Sequence, residues 1–268
     1  MPSNTNPGRN LTLTLHADAV AAPAHNAARM CREVVDLYFG ALAKADLSEP
    51  PPASQEAFFR FSITGPGITA DERRSAHENW ILAKAFQDLM RGVRGSLEKA
   101  YLFVQLHSIG HMQVATNTTI DELLAPFQKK ARVTNFPDLL GKLNQKFATP
   151  VAFSQEYASM QTARNCLEHR EGIVGKHDVD RAGVFSMSVP RAKFFVIQEG
   201  NEVELYKNFE TTEETILQFR VEARHLVFKL GEHLKIDVAD FDDIAFSCAQ
   251  FGTSLAQQIG KVGTPPSA

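Results

Sequence analysis

Cysteine is scarce in this 268-residue chain: Cys31, Cys166 and Cys248 stand far apart, and none forms a Cys-x-x-Cys pair. That pattern excludes a disulfide framework and points to reduced thiols in a cytosolic protein. No apolar run reaches about 18 residues, so no membrane-spanning helix is expected. The opening MPSNTNPGRN lacks the charged-then-apolar order of a secretory signal. Charge of one sign is also lacking: 28 basic side chains face 31 acidic ones, for a net charge of -3. Any attraction for nucleic acid must therefore come from a local basic surface, not from the chain as a whole. Internal repeats and low-complexity tracts are absent.

What is present is ordinary globular composition, 44% hydrophobic and 22% charged, in a chain long enough to bury a core without staples. Hydrophobic spacing predicts helices over about 26–45, 69–108, 119–132, 136–147, 154–171, 211–234 and 239–260. Several open on plausible caps: Thr69 before Asp71 and Glu72, Thr119 before Asp121 and Glu122, Asn135 before Pro137, and Ser154. Gly92 or Gly95 is a candidate bend in the longest helix, and Gly172 a candidate stop. SEPPPAS at 48–54 breaks the pattern, and 11–16 and 58–67 read as short extended pieces. From 183 to about 207 the period shortens to two, predicting a β-hairpin or small meander with Gly200-Asn201 in its turn. The expected fold class is mainly α: a single helical-bundle domain over 1–260 with a β insert at about 183–207, and a flexible tail over 261–268.

One stretch carries chemistry: Arg164-Asn165-Cys166-Leu167-Glu168-His169, near the C-terminal end of its predicted helix. An Arg followed by His after four to six residues is common by chance, and Arg170…His177 and Arg220…His225 fit it too. Of these three only Arg164 has the polar neighbour, and Arg-Asn-x-x-x-His should arise by chance in roughly two such chains in a hundred. Residues 164–169 resemble the signature of the HEPN superfamily, all-α ribonucleases and nucleotide-binding proteins of toxin–antitoxin and antiviral systems. The resemblance implies a metal-independent endoribonuclease, acting as a homodimer that pairs two motifs across a cleft, with RNA as substrate. A defence or stress role, and a regulatory protein partner, follow only by analogy. The β insert lies outside the family's minimal four-helix core.

The residue types suit that reaction. When a 2′-OH attacks the adjacent phosphorus, a base must take its proton and cations must hold the charge that develops. Histidine titrates near neutrality, which suits His169 to general acid/base work. The fixed charge and forked donors of Arg164 suit it to the phosphate, and Asn165 can orient phosphate or imidazole. No metal or cofactor is needed. Arg170, Lys129 and Lys130 are candidate substrate-binding cations, the two lysines in a small basic cluster with Arg132 whose default reading is a solvated face. Helical geometry puts Asn165 and His169 about 40° apart but Arg164 about 140° from His169, so one helix does not focus all three. The plainer reading has His169 and Arg170 complementing a helix dipole and Arg164 pairing with Glu168 at i, i+4. A non-catalytic RNA- or nucleotide-binding or assembly protein is the alternative function.

Other constellations are weaker. His107 and His111 share the i, i+4 spacing of a metal pair but lack the HExxH glutamate. Cys166 with His169 is half a zinc site, or a nucleophile without an oxyanion hole. Gly65-Pro66-Gly67 lacks the lysine of a phosphate loop. Asp240, Asp242 and Asp243 suit a helix start. Phe86, Tyr101, Phe194 and Phe195 are expected in the core rather than stacked on bases.

Overall fold

A computed structural model describes residues 14–49, 67–109, 117–205 and 216–262. Six helices and a three-stranded antiparallel sheet make up these residues, so the chain is mainly α. The extended pieces expected at 11–16 and 58–67 lie largely outside the described residues, as do His111, Gly65-Pro66 and most of the tail.

Three helices form the spine: α1 (Asp18–Leu42), α2 (Ala70–Ile109) and α6 (Val238–Gly260). α2 runs unbroken past Gly92 and Gly95, and its 40 residues span about 60 Å. Those glycines serve packing instead of bending. A Cβ on Gly92 would meet the Ala27 Cβ at 2.4 Å and the Pro23 carbonyl at 2.8 Å, so α1 and α2 approach almost backbone to backbone. Gly252 admits α1 to α6 in the same way, with the Ala21 carbonyl 3.0 Å from the Cβ it lacks. Around this contact Phe86, Leu89, Val93 and Leu97 of α2 and Phe241, Ile244, Phe251 and Leu255 of α6 are buried.

The shorter helices carry the site. α3 (Ile120–Val133) opens on a capping box in which Thr119 and Glu122 bond each other's backbone N–H. α4 (Phe136–Asn144) opens on Asn135, whose Oδ1 accepts from the Asp138 N–H at 2.9 Å. Thr69 and Glu72 form the same reciprocal box before α2. α5 (Ser154–His169) departs from expectation: its N-cap is Phe153, left-handed at φ 58°, and makes no side-chain cap. The Ser154 hydroxyl instead donates to the Val151 carbonyl at 2.6 Å and accepts from Asn144 Nδ2 at 3.1 Å. It ties α4 to α5 rather than closing the helix end. α5 stops where Gly172 was expected to stop it: the N–H groups of Arg170 and Gly172 both donate to the Cys166 carbonyl, and Gly172 is left-handed at φ 80°.

The sheet has the order β2–β1–β3, with β1 at Val184–Gln198, β2 at Asn201–Glu204 and β3 at Gln218–Lys229. The β1–β2 turn is Glu199-Gly200, one residue earlier than expected. Both residues are left-handed, at φ 51° and 77°, and Gln198 faces Asn201, as a tight two-residue hairpin requires. The helix expected over 211–234 is corrected by β3. β1 is long enough to pair β3 along its whole length, from Val184↔Lys229 to Phe195↔Gln218. Phe228 stacks on Phe185 at 6.3 Å between centroids, and Leu226 faces the buried Met187. The apolar and β-branched residues of QFRVEARHLVFK thus find a paired, half-buried surface that an isolated helix would not supply.

β3 also braces the motif helix. After Gly172 the chain pairs with the segment leaving β3: the Leu234 N–H donates to the Gly172 carbonyl at 2.8 Å, and the Val174 N–H to the Glu232 carbonyl at 2.9 Å.

Candidate functional site

An open groove of about 360 Å³ lies where α2, the α3–α4 corner and α5 meet. Arg91 and Arg94 enter from α2, Arg132 from α3, and Gln161, Arg164 and Asn165 from α5. Met90, Val133, Phe136 and Pro137 supply its apolar wall. Four arginines line it and no Asp or Glu does. Asp88, Glu98 and Glu168 pair with Arg91, Arg94 and Arg164 from outside the lining, so the groove's uncompensated positive charge centres on Arg132.

Arg94 builds the groove. Its Nη2 donates to the carbonyls of Ala131 at 2.6 Å and Thr134 at 2.7 Å, with Arg132 at 3.3 Å, while its Nε donates to Glu98 at 2.8 Å. One guanidinium thus satisfies the carbonyls orphaned at the end of α3 and fixes the turn into α4. Arg91 pairs with Asp88 on its own helix, both side chains more than half exposed.

On α5 the motif side chains form one continuous chain of contacts. Gln161 Nε2 donates to Asn165 Oδ1 at 3.0 Å, and Arg164 Nη1 donates to the same oxygen at 3.3 Å. Arginine is donor-only, so this bond fixes the amide with its oxygen toward Arg164 and its Nδ2 free to donate elsewhere. Arg164 Nη1 also pairs with Glu168 Oε2, and that oxygen lies 3.6 Å from His169 Nε2. The i, i+4 pair of the plainer reading is therefore present, and Arg164 faces the groove as well. His169 does not line the groove: its side chain is 63% exposed, one turn beyond Asn165. The structure unites Arg164 and Asn165 with the arginines of α2 and α3, and leaves His169 at the rim.

The remaining expected site residues are placed elsewhere. Arg170 turns from the groove to pair with Asp178, whose side chain is 3% exposed, and so joins α5 to the loop before β1. Lys129 and Lys130 are exposed on α3 and do not line the groove, whereas Arg132, three residues on from Lys129, does. Cys166 is fully buried, and its thiol donates to the Ile173 carbonyl at 3.2 Å. Burial, then Asp178, raises its pKa, which disfavours the thiolate a nucleophile needs. Among the described residues, no group of three or more His, Cys, Asp or Glu side chains could hold a metal ion. Asp240 and Asp243 hold Arg224 of β3, and Asp237 is the cap of α6. Phe86, Tyr101 and Phe195 are buried, while Phe194 is about half exposed beside Phe219. Among the described residues, no helix is long and apolar enough to cross a membrane.

Sequence reasoning missed Arg91, Arg94 and Gln161. Gln161 had a signal, since it sits one turn before Asn165 on the same helical face. Arg91 and Arg94 had only their i, i+3 spacing, and nothing local tied them to α5. No family model matches the chain, no curated protein matches its sequence, and no solved structure matches its fold.

Proposed function

We propose that the chain is a HEPN-like, metal-independent endoribonuclease that works as a homodimer. The observation that carries this reading is the groove: four arginines line it, Arg132 with no acid partner among the described residues, and Arg164 and Asn165 of the motif stand in its wall. Phosphodiesters bind such a surface through charge-assisted, forked hydrogen bonds. In the proposed reaction the 2′-OH attacks phosphorus and the bond to the 5′-oxygen breaks. His169 takes the proton of the 2′-OH, and a protonated imidazole returns one to the leaving 5′-oxygen. Arg164 holds the charge on the phosphorane, and Asn165 donates through Nδ2 to a phosphate oxygen. The products are a 2′,3′-cyclic phosphate and a 5′-OH. A second copy would bring a second Arg164–His169 pair to the scissile phosphate, which answers the wide angle between these residues on one helix. Sedimentation that finds only monomer at assay concentration would contradict that part.

A second reading, an RNA- or nucleotide-binding protein without catalysis, is favoured by one arrangement. Glu168 holds Arg164 and approaches His169, and His169 stands outside the groove.

Incubation of the protein with mixed cellular RNA in EDTA separates the two. The ribonuclease reading expects cleavage with cyclic phosphate ends, lost at least a hundredfold in both His169→Ala and Arg164→Ala. RNA binding without cleavage selects the second reading, and cleavage that survives both substitutions contradicts the first.

A further inference from the structure

The four arginines of the groove are not equally available to a ligand. Arg94 is committed to three backbone carbonyls and Glu98. Arg164 is committed to Glu168 and Asn165, with its side chain 20% exposed. Arg91 pairs with Asp88, an exposed contact of the kind that contributes little and opens readily. Arg132 alone among them makes no side-chain hydrogen bond or ion pair with any described residue, and it is exposed. Its backbone is nonetheless held in place, because Arg94 Nη2 bonds the carbonyls of Ala131, Arg132 and Thr134 around it.

We propose that Arg132 is the anion anchor of the groove, the guanidinium that takes a phosphodiester of the RNA strand ahead of the motif residue Arg164. This rests on the reading of the groove as a phosphate site. A phosphate reaching Arg164 must first displace the Glu168 carboxylate, so much of the attraction is cancelled by the pair that breaks. A phosphate reaching Arg132 breaks no protein contact and gains the full charge-assisted bond. Glu168 is then a competitor for Arg164: it lowers the strand's affinity at the motif and leaves binding to begin at α3. Lys129, one turn back on the same side of α3, extends the positive approach.

The test uses a 2′-O-methyl oligoribonucleotide, which lacks the attacking hydroxyl, so binding is read apart from cleavage. Fluorescence anisotropy in EDTA from about 50 to 200 mM salt gives the affinity and its salt slope. We expect Arg132→Gln to weaken binding about tenfold and to reduce the salt slope by about 1. Arg132→Lys keeps the charge and should keep the slope. Arg164→Gln should cost less than Arg132→Gln in the otherwise unchanged protein, and should cost as much once Glu168→Gln has released Arg164. Both arginines are part-exposed or exposed, and Arg132→Gln removes no protein contact, so loss of fold does not confound the result. An Arg132→Gln change within twofold of the parent at an unchanged slope overturns the proposal. So does a larger loss from Arg164→Gln, or no binding by the parent. A nucleoside 5′-monophosphate that binds as tightly as the strand overturns the strand as ligand. If this order of effects holds while mixed RNA stays uncut, the anchor stands and the ribonuclease reading falls.

Discussion

At Arg94 one guanidinium closes the end of α3, and its neighbours Arg132 and Arg164 inherit a shaped groove from it. Fixed positions of this kind depend on close helix contacts, and Gly92, two residues before Arg94, makes the tightest approach of the described glycines. The Cβ it lacks would lie 2.4 Å from the Ala27 Cβ and 2.8 Å from a backbone carbonyl of α1, so a side chain there forces the helices apart. We expect Gly92→Ala to destabilise the fold by about 1–3 kcal/mol, against the small gain in helix propensity an alanine would otherwise bring. Urea unfolding of the two proteins measures this, and an unchanged midpoint would contradict the packing described. At this scale the sequence was informative where chemistry is local. Thr69, Thr119 and Asn135 cap as their positions predict, and Arg164 pairs with Glu168 as its spacing predicts. Ser154 was misleading because its hydroxyl bonds back to Val151, three residues before it, and to Asn144, which the turn between α4 and α5 brings near.

Among the elements, the sheet shows where local pattern runs out. Residues 218–229 read as helix because acids precede them and apolar residues recur, yet their pairing partner is β1, far back in the chain. The far end of the sheet is held by an ion network: Arg220 bonds Glu202 and Glu222, Arg191 bonds Glu204 and Glu222, and Lys193 bonds Glu202. Arg220, then Lys193, lowers the Glu202 pKa from 4.5 to about 2. A carboxylate with a depressed folded-state pKa stabilises the fold above its ordinary value, and that contribution fades as the pH falls from about 4.5 through about 2. The parent should therefore melt above Glu202→Gln near neutrality, with the gap closing across that acid window. A gap that is constant with pH would show that Glu202 acts through packing rather than charge. The side chain lies on the surface, so the gap should also shrink in high salt.

For the whole molecule, hydrophobic spacing pointed to a mainly helical fold, and the net charge of -3 meant that any nucleic-acid site needs local positive charge. It could not say where that charge gathers, because the groove draws on α2, α3 and α5, and Arg91 lies more than seventy residues before Arg164 in the sequence. The motif supplied two of the eight polar residues in its wall, Arg164 and Asn165; Arg91 and Arg94 became visible only when the helices were packed. The proposed seat of RNA is this groove, and photo-crosslinking reads that placement residue by residue. A 2′-O-methyl strand carrying 4-thiouridine is irradiated on the protein, and the adducts are mapped by mass spectrometry. Adducts at the α3–α4 corner, residues 132–137, and on α5 at 161–169 are the expected result. Adducts confined to other surfaces, such as the apolar cleft beside Tyr38 and Trp80 or the outer face of the sheet, would contradict it.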